Sequence, residues 1–278
     1  MTVPYPHIPP VILSIGPLAL RWYGVMYVVG YFVGYQLALG RIRRGASALT
    51  QKDLDALIGY LVVGMLIGAR LIYVLVYDFS SYRAHPWQVF AVWTGGLSFH
   101  GAILGMAIAI AIFVHRHRLA YLAVTDTVAL AGTPGLFFGR IGNFINGELY
   151  GRPSSVPWAM VFPSDPLHVP RHPSQLYEAL AEGIVLALAL WLLDRRANAR
   201  RWYWPGLLTG AFLIGYAMLR FLLEFTRQPD AQLGFVLGTF SMGQLLSTIM
   251  LLAGVALLGV SRRHSLKSTI PHSGGPVD

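Results

Sequence analysis

Ionisable side chains interrupt otherwise apolar runs at Arg21, Arg70, His100, Asp126, Arg140, Arg220 and Glu224, with His172 and Glu178 at the start of another run. In hydrocarbon such groups are costly, so they mark either function or a buried pair. Their spacing favours a site. Tyr216, Arg220 and Glu224 fall at i, i+4 and i+8, on one face of a helix, with Arg227 close by. Arg140, Asn143 and Asn146 run i, i+3, i+6 in the stretch Gly139-Arg-Ile-Gly-Asn-Phe-Ile-Asn-Gly-Glu148, where the glycines let a polar group approach the backbone. Guanidinium groups grip phosphate oxygens through paired hydrogen bonds, so arginines at headgroup level point to an anionic lipid. Tyr23, Tyr27, Tyr73 and Tyr77 suit the glycerol region of an interface. The chain has no cysteine, which removes disulfides, thiolate metal sites and a cysteine nucleophile. No metal motif, phosphate loop or Gly-x-Ser-x-Gly elbow is present, so no metal or cofactor is expected.

The elements that must hold these groups are membrane helices. Of 278 residues 55% are apolar and 12% charged, with a net charge of +9, about half the charge of an ordinary soluble domain. A soluble globular enzyme, a disordered chain and a disulfide scaffold are all disfavoured. Runs long enough to span fall at about 18–40, 54–77, 98–114, 119–139, 175–193, 205–226 and 238–260. The reading is a single membrane-integral, all-α domain over 1–278, with about seven helices. A polar, Pro- and Gly-rich external cap covers 143–173, and a mobile tail follows from 267. Thirteen of the 21 basic residues sit on alternate connections: Arg41 to Lys52, Arg116 and Arg118, Arg195 to Arg201, and Arg262 to Lys267. The positive-inside rule makes that side cytoplasmic, with the N-terminus outside and the C-terminus inside. The basic loops then face anionic membrane lipids, and nucleic acid is not an expected partner. On this topology nearly all the intramembrane charges lie toward the outer face. Asp126, nearer the inside, is expected to pair with a buried arginine. Pattern alone leaves open whether the outer site catalyses, transports or only binds.

Several stretches strongly resemble the bacterial prolipoprotein diacylglyceryl transferases. The 13 residues Gly139 to Gly151 look like that family's defining motif. Arg21–Tyr27, Gly96–Gly101, Arg171–Glu178, Arg220–Asp230 and Ser241–Gln244 match in family order. The resemblance implies transfer of a diacylglyceryl group from phosphatidylglycerol to the lipobox cysteine of a prolipoprotein signal peptide. It also implies a bacterial inner-membrane location with the site facing outward. By matching position, Arg140 and Arg220 handle the phosphate and His100 is the proposed base. Tyr23, Asn143, Glu148, Gly151, Tyr216 and Glu224 fall on other sensitive positions, and Asn146 joins them as a candidate headgroup contact. Glu224 is expected to orient Arg220 and Glu148 to hold the Arg140 loop, although either carboxylate could instead be the base. Near pH 7.5, ionising a thiol of pKa about 8.5 costs only about 1.4 kcal/mol. Expelling a phosphate from carbon is the harder step, which ranks Arg140 and Arg220 above His100. The competing class is an anionic-lipid transporter or scramblase using the same arginines without covalent chemistry.

Overall fold

The computed structural model describes every residue except 1–2, 17, 92, 94, 229–234, 238–239 and 270–278. The protein is an all-α polytopic membrane protein. Among the described residues six helices are long and apolar enough to cross a bilayer: Trp22–Arg43, Gln51–Tyr77, Phe99–His117, Tyr121–Asn146, Ser174–Ala199 and Met242–Leu266. A seventh apolar helix, Leu207–Leu223, has 17 residues, the lower end of the range that spans a hydrocarbon core. These helices are named α1 (Trp22–Arg43), α2 (Gln51–Ile72), α4 (Phe99–His117), α5 (Tyr121–Asn146), α8 (Leu207–Leu223) and α9 (Met242–Thr269), with a short α3 at Phe79–Ala84. The remaining span is composite: α6 (Ser174–Glu178) continues through a π-helical stretch, Ala179–Val185, into α7 (Leu186–Ala199).

Three expected boundaries move. The first span begins at Trp22 rather than 18, because β2 (Leu18–Arg21) pairs antiparallel with β1 (Val11–Ile15) as a hairpin. The expected cap start at 143 is still helix, since α5 runs to Asn146. The tail expected from 267 is helical to Thr269, and 270–278 lie outside the described residues. A second small hairpin, β3 (Phe235–Leu237) with β4 (Phe240–Ser241), leads into α9.

The chain divides into two compact units. The first comprises 1–38 and 126–278. In it α5 carries Pro134, which cannot donate to the carbonyl of Leu130 four residues back. The Thr133 hydroxyl donates to that carbonyl instead, at 2.8 Å, so the helix continues past the proline. Gly183 of the π stretch lies against Phe137 of α5, where a Cβ would come within 2.7 Å of the Phe137 Cα. That close approach sets α6 beside the C-terminal half of α5. Asp126 does not meet an arginine as expected. Its carboxylate accepts from the Tyr203 hydroxyl at 2.8 Å, the Gly206 N–H at 2.9 Å, and the Thr209 N–H and hydroxyl at 2.8 and 2.7 Å. Four neutral donors satisfy a buried carboxylate as a cation would, and they fix the start of α8.

Beyond α5 the cap is irregular but tied down. Arg171 donates to both oxygens of Asp165, from Nε at 2.6 Å and Nη2 at 2.8 Å, with the two side chains 6% and 0% exposed. Asp165 also accepts from the N–H groups of Leu167 and Val169. The Arg171 guanidinium holds the Asp165 carboxyl below its ordinary range, and the pairing raises Arg171 in turn. Tyr5 packs with Phe144 and Phe162, and its hydroxyl donates to the carbonyls of Phe144 (2.6 Å) and Ile145 (3.1 Å). The Tyr5 hydroxyl thus pins the N-terminal segment to the last turn of α5.

The second unit, 39–125, is built on α2 and α4. Gly64 and Gly68 lie against Gly105 and Gly101, an approach in which no Cβ would fit. Thr50 and Asp53 form a capping box at the start of α2. Arg70, 4% exposed, donates to the carbonyls of Val89 (2.8 Å), Gly95 (2.6 Å), Gly96 and Ala91 (both 3.1 Å), and also to that of Gln88. It gathers these five carbonyls around one guanidinium.

Candidate functional site

In the first unit the C-terminal ends of α5 and α8 meet the N-terminal end of α6, because consecutive helices run in opposite directions. That brings together charges far apart in sequence. Arg140, from α5, places Nη2 at 2.7 Å from Glu178 Oε2. Arg220, from α8, places Nη1 at 3.3 Å from the same oxygen and 3.9 Å from Glu182 Oε1, and Nη2 at 3.0 Å from Glu224 Oε2. Arg227, just past α8, lies 3.4 Å from Glu178 Oε1. These ion pairs link three guanidiniums and three carboxylates. Glu178 and Glu182 are 1% and 0% exposed, while Arg140 and Arg220 keep 20% and 14% of their side-chain surface.

Glu224 is seated from the far side. The Ser241 hydroxyl donates to its Oε1 at 2.9 Å, while the Ser241 N–H donates to Gln244 Oε1. Gly243 leaves room for that carboxylate, since a Cβ there would stand 2.7 Å from Glu224 Oε1. Tyr216, one turn before Arg220, stacks on Phe212 at 5.8 Å between centroids and stands within electrostatic reach of Glu182, Arg220 and Arg140.

A second, polar part of the site follows α5. Asn143 and Asn146 both donate to Glu148 Oε1, at 2.8 and 3.2 Å, and Gln175 Nε2 donates to the Glu148 carbonyl at 2.7 Å. Gly151 closes the segment by donating its N–H to the His172 carbonyl at 2.9 Å. A side chain there would run into the Thr226 carbonyl and the His172 Cβ. His172, whose pKa burial lowers, has Nδ1 at 3.2 Å from the Tyr177 hydroxyl. Tyr23 packs its ring on Gly142 and shares a 3.1 Å hydrogen bond with the Tyr27 hydroxyl. The arrangement can hold an anion: guanidinium N–H groups converge at the helix ends, and polar amides and tyrosines stand on the neighbouring turns.

Residues 10–260 match the family model described as prolipoprotein diacylglyceryl transferase. The chain belongs to the prolipoprotein diacylglyceryl transferase family. Three curated relatives carry the name phosphatidylglycerol–prolipoprotein diacylglyceryl transferase. The protein of Bordetella bronchiseptica is 48% identical over 91% of this chain and 95% of its own length. That of Azospirillum brasilense is 46% identical over 95% and 98%, and that of Geobacter sulfurreducens 46% over 93% and 98%.

In this member of the prolipoprotein diacylglyceryl transferase family, Tyr23, Arg140, Asn143, Asn146, Glu148, Gly151, Tyr216, Arg220 and Glu224 all lie in the first unit. Glu148 accepts from the two asparagines of the Arg140 loop, while the carboxylate that meets Arg140 itself is Glu178. Glu224 does contact Arg220 at i, i+4. His100 lies in the second unit, exposed in the first turn of α4, with its ring edge-on to Phe99 at 6.0 Å. Glu182 went unnoticed in the sequence. Its signal was present: two glutamates at i, i+4 inside an apolar helix are as improbable as the arginines they meet.

Proposed function

We propose that this chain transfers the diacylglyceryl group of phosphatidylglycerol to the lipobox cysteine of prolipoproteins. The observation that carries the reading is the convergence of Arg140 and Arg220 on a single carboxylate oxygen, at 2.7 and 3.3 Å. Two guanidiniums brought by different helices to one oxygen are arranged for an oxyanion. Family membership supplies the lipid and the acceptor. The cysteine sulfur attacks the glyceryl carbon, the carbon–oxygen bond to phosphate breaks, and its electron pair leaves on the phosphate oxygen. A thioether forms, glycerol phosphate departs and the thiol proton is released. Arg140 and Arg220 counter the charge that grows on that oxygen, where fixed donors outside bulk water are strongest. Tyr23, Asn143 and Asn146 line the glycerol side, Glu224 positions Arg220, and Glu148 and Gly151 keep the asparagine segment folded. His100 is the candidate base that the family resemblance brings.

The placement of the basic connections supports a bacterial inner-membrane protein with the N-terminus outside, the C-terminus cytoplasmic and the site toward the outer face. The test mixes purified protein with phosphatidylglycerol and a lipobox peptide and weighs the peptide. A gain of one diacylglyceryl group on cysteine, absent from a Cys→Ser peptide, is expected. Unmodified peptide beside an active control enzyme would overturn the reading and leave lipid binding or transport.

A further inference from the structure

The three carboxylates of the cluster are unequally provided for. Glu178 has Arg140 at 2.7 Å, and Glu224 has the Ser241 hydroxyl at 2.9 Å and Arg220 at 3.0 Å. Glu182 has neither advantage. Among the described residues both of its oxygens are buried without a hydrogen bond, and the guanidinium nitrogen in ion-pair reach, Arg220 Nη1, stands 3.9 Å away. That nitrogen makes no hydrogen bond either and sits closer to Glu178. The charged and titratable groups around Glu182 are Glu178 on its own helix, Arg140 from α5, Tyr216 and Arg220 from α8, and Arg227 beyond it.

With no ligand bound, ionisation of Glu182 matches three carboxylates to three guanidiniums and leaves the linked cluster neutral. A phosphodiester adds one negative charge and competes for Arg220, the same cation that faces Glu182. The surplus charge then falls on the carboxylate with the weakest compensation. A buried carboxylate that loses its cation is more stable neutral. We propose that Glu182 takes up a proton from water when a phosphodiester lipid binds, so that binding of the anionic headgroup is coupled to protonation of this side chain. The proposal rests on the reading of Arg140 and Arg220 as phosphate ligands.

The experiment is calorimetric titration of the intact detergent-solubilised protein with phosphatidylglycerol in mixed micelles. It is run in PIPES and in Tris, whose different ionisation heats reveal proton exchange. Wild type should take up part of a proton per lipid near neutral pH, rising toward one by about pH 8, and where uptake is complete its affinity should fall about tenfold per pH unit. Glu182→Gln should bind with equal heats in both buffers and an affinity flat with pH. Equal heats for wild type from about pH 6 to about pH 8, or the same uptake in Glu182→Gln, would overturn the coupling. Binding without proton exchange sinks this proposal alone, whereas no binding of phosphatidylglycerol at any pH sinks the phosphate-site reading as well. The wild-type arm needs no variant, so a misfolded Glu182→Gln leaves the test intact.

Discussion

Arg171 in the cap and Arg220 at the end of α8 are both largely buried and both paired with carboxylate, yet they are held in opposite ways. Arg171 meets Asp165 through two short hydrogen bonds and covers the Tyr150 ring at 4.8 Å. Arg220 spreads thin contacts of 3.0 to 3.9 Å over three glutamates, and its Nη1 makes no hydrogen bond among the described residues. A guanidinium with all its directions taken is a fastener. One that keeps donor capacity unspent beside other cations has something left for a ligand. Arg70, absorbed by loop carbonyls, belongs with Arg171. Burial alone therefore does not distinguish these two arginines, whereas the saturation of their donors does.

The comparison breaks first at the cluster. Arg140→Gln and Arg220→Gln should each lower diacylglyceryl transfer by about 10³-fold, the scale of a lost oxyanion donor, with the protein still monodisperse by size exclusion. His100→Gln should lose less, and a larger loss there would reverse the ranking of leaving-group stabilisation over thiol ionisation. Asp165→Ala should do the reverse. Breaking one side of a buried pair costs about 3–5 kcal/mol, so thermal unfolding should shift down strongly while transfer per folded molecule stays near wild type. If that variant instead keeps its stability and loses transfer, the cap pair is not a fastener.

Acid sharpens the same contrast. The folded pKa of Asp165 is depressed below its unfolded value, so its contribution is complete above about pH 4 and is lost as pH falls toward the folded value. Wild type should lose stability over that acid window, and Asp165→Asn should lose less of what it has. Smallest of all, Tyr5→Phe removes hydrogen bonds to the end of α5 and should cost about 1 kcal/mol, read as a lower unfolding temperature.

The helices were legible because runs of about 20 apolar residues admit few other readings. The α1 start was not, since Leu18–Arg21 is apolar enough to extend the helix and only pairing with Val11–Ile15 makes it a strand. Residues on one helix could be placed by spacing, as Arg220 and Glu224 were. Partners on different helices could not. Glu148 lies close to Arg140 in sequence, yet Glu178, 38 residues on, is the one that reaches it, because Gly183 sets α6 against Phe137. Asp126 misled in another way: one carboxylate in an apolar run suggests a cation, while hydroxyls and backbone N–H groups at the start of α8 leave no such trace.

The wide turns at Ala179–Val185 give the span of α6 and α7 a rotational offset. A π stretch holds one residue more than the α-helical turns it replaces. Winding the same residues as a plain α-helix would swing everything before the stretch by about 100°. Leu186–Ala199 would keep its face, and the span would stay apolar and long enough to cross. Glu178 would point away from Arg140 and Arg220. The distinction between a plain membrane anchor and a helix that assembles this site is thus carried by how seven residues are wound, and a composition profile of the span would register no change.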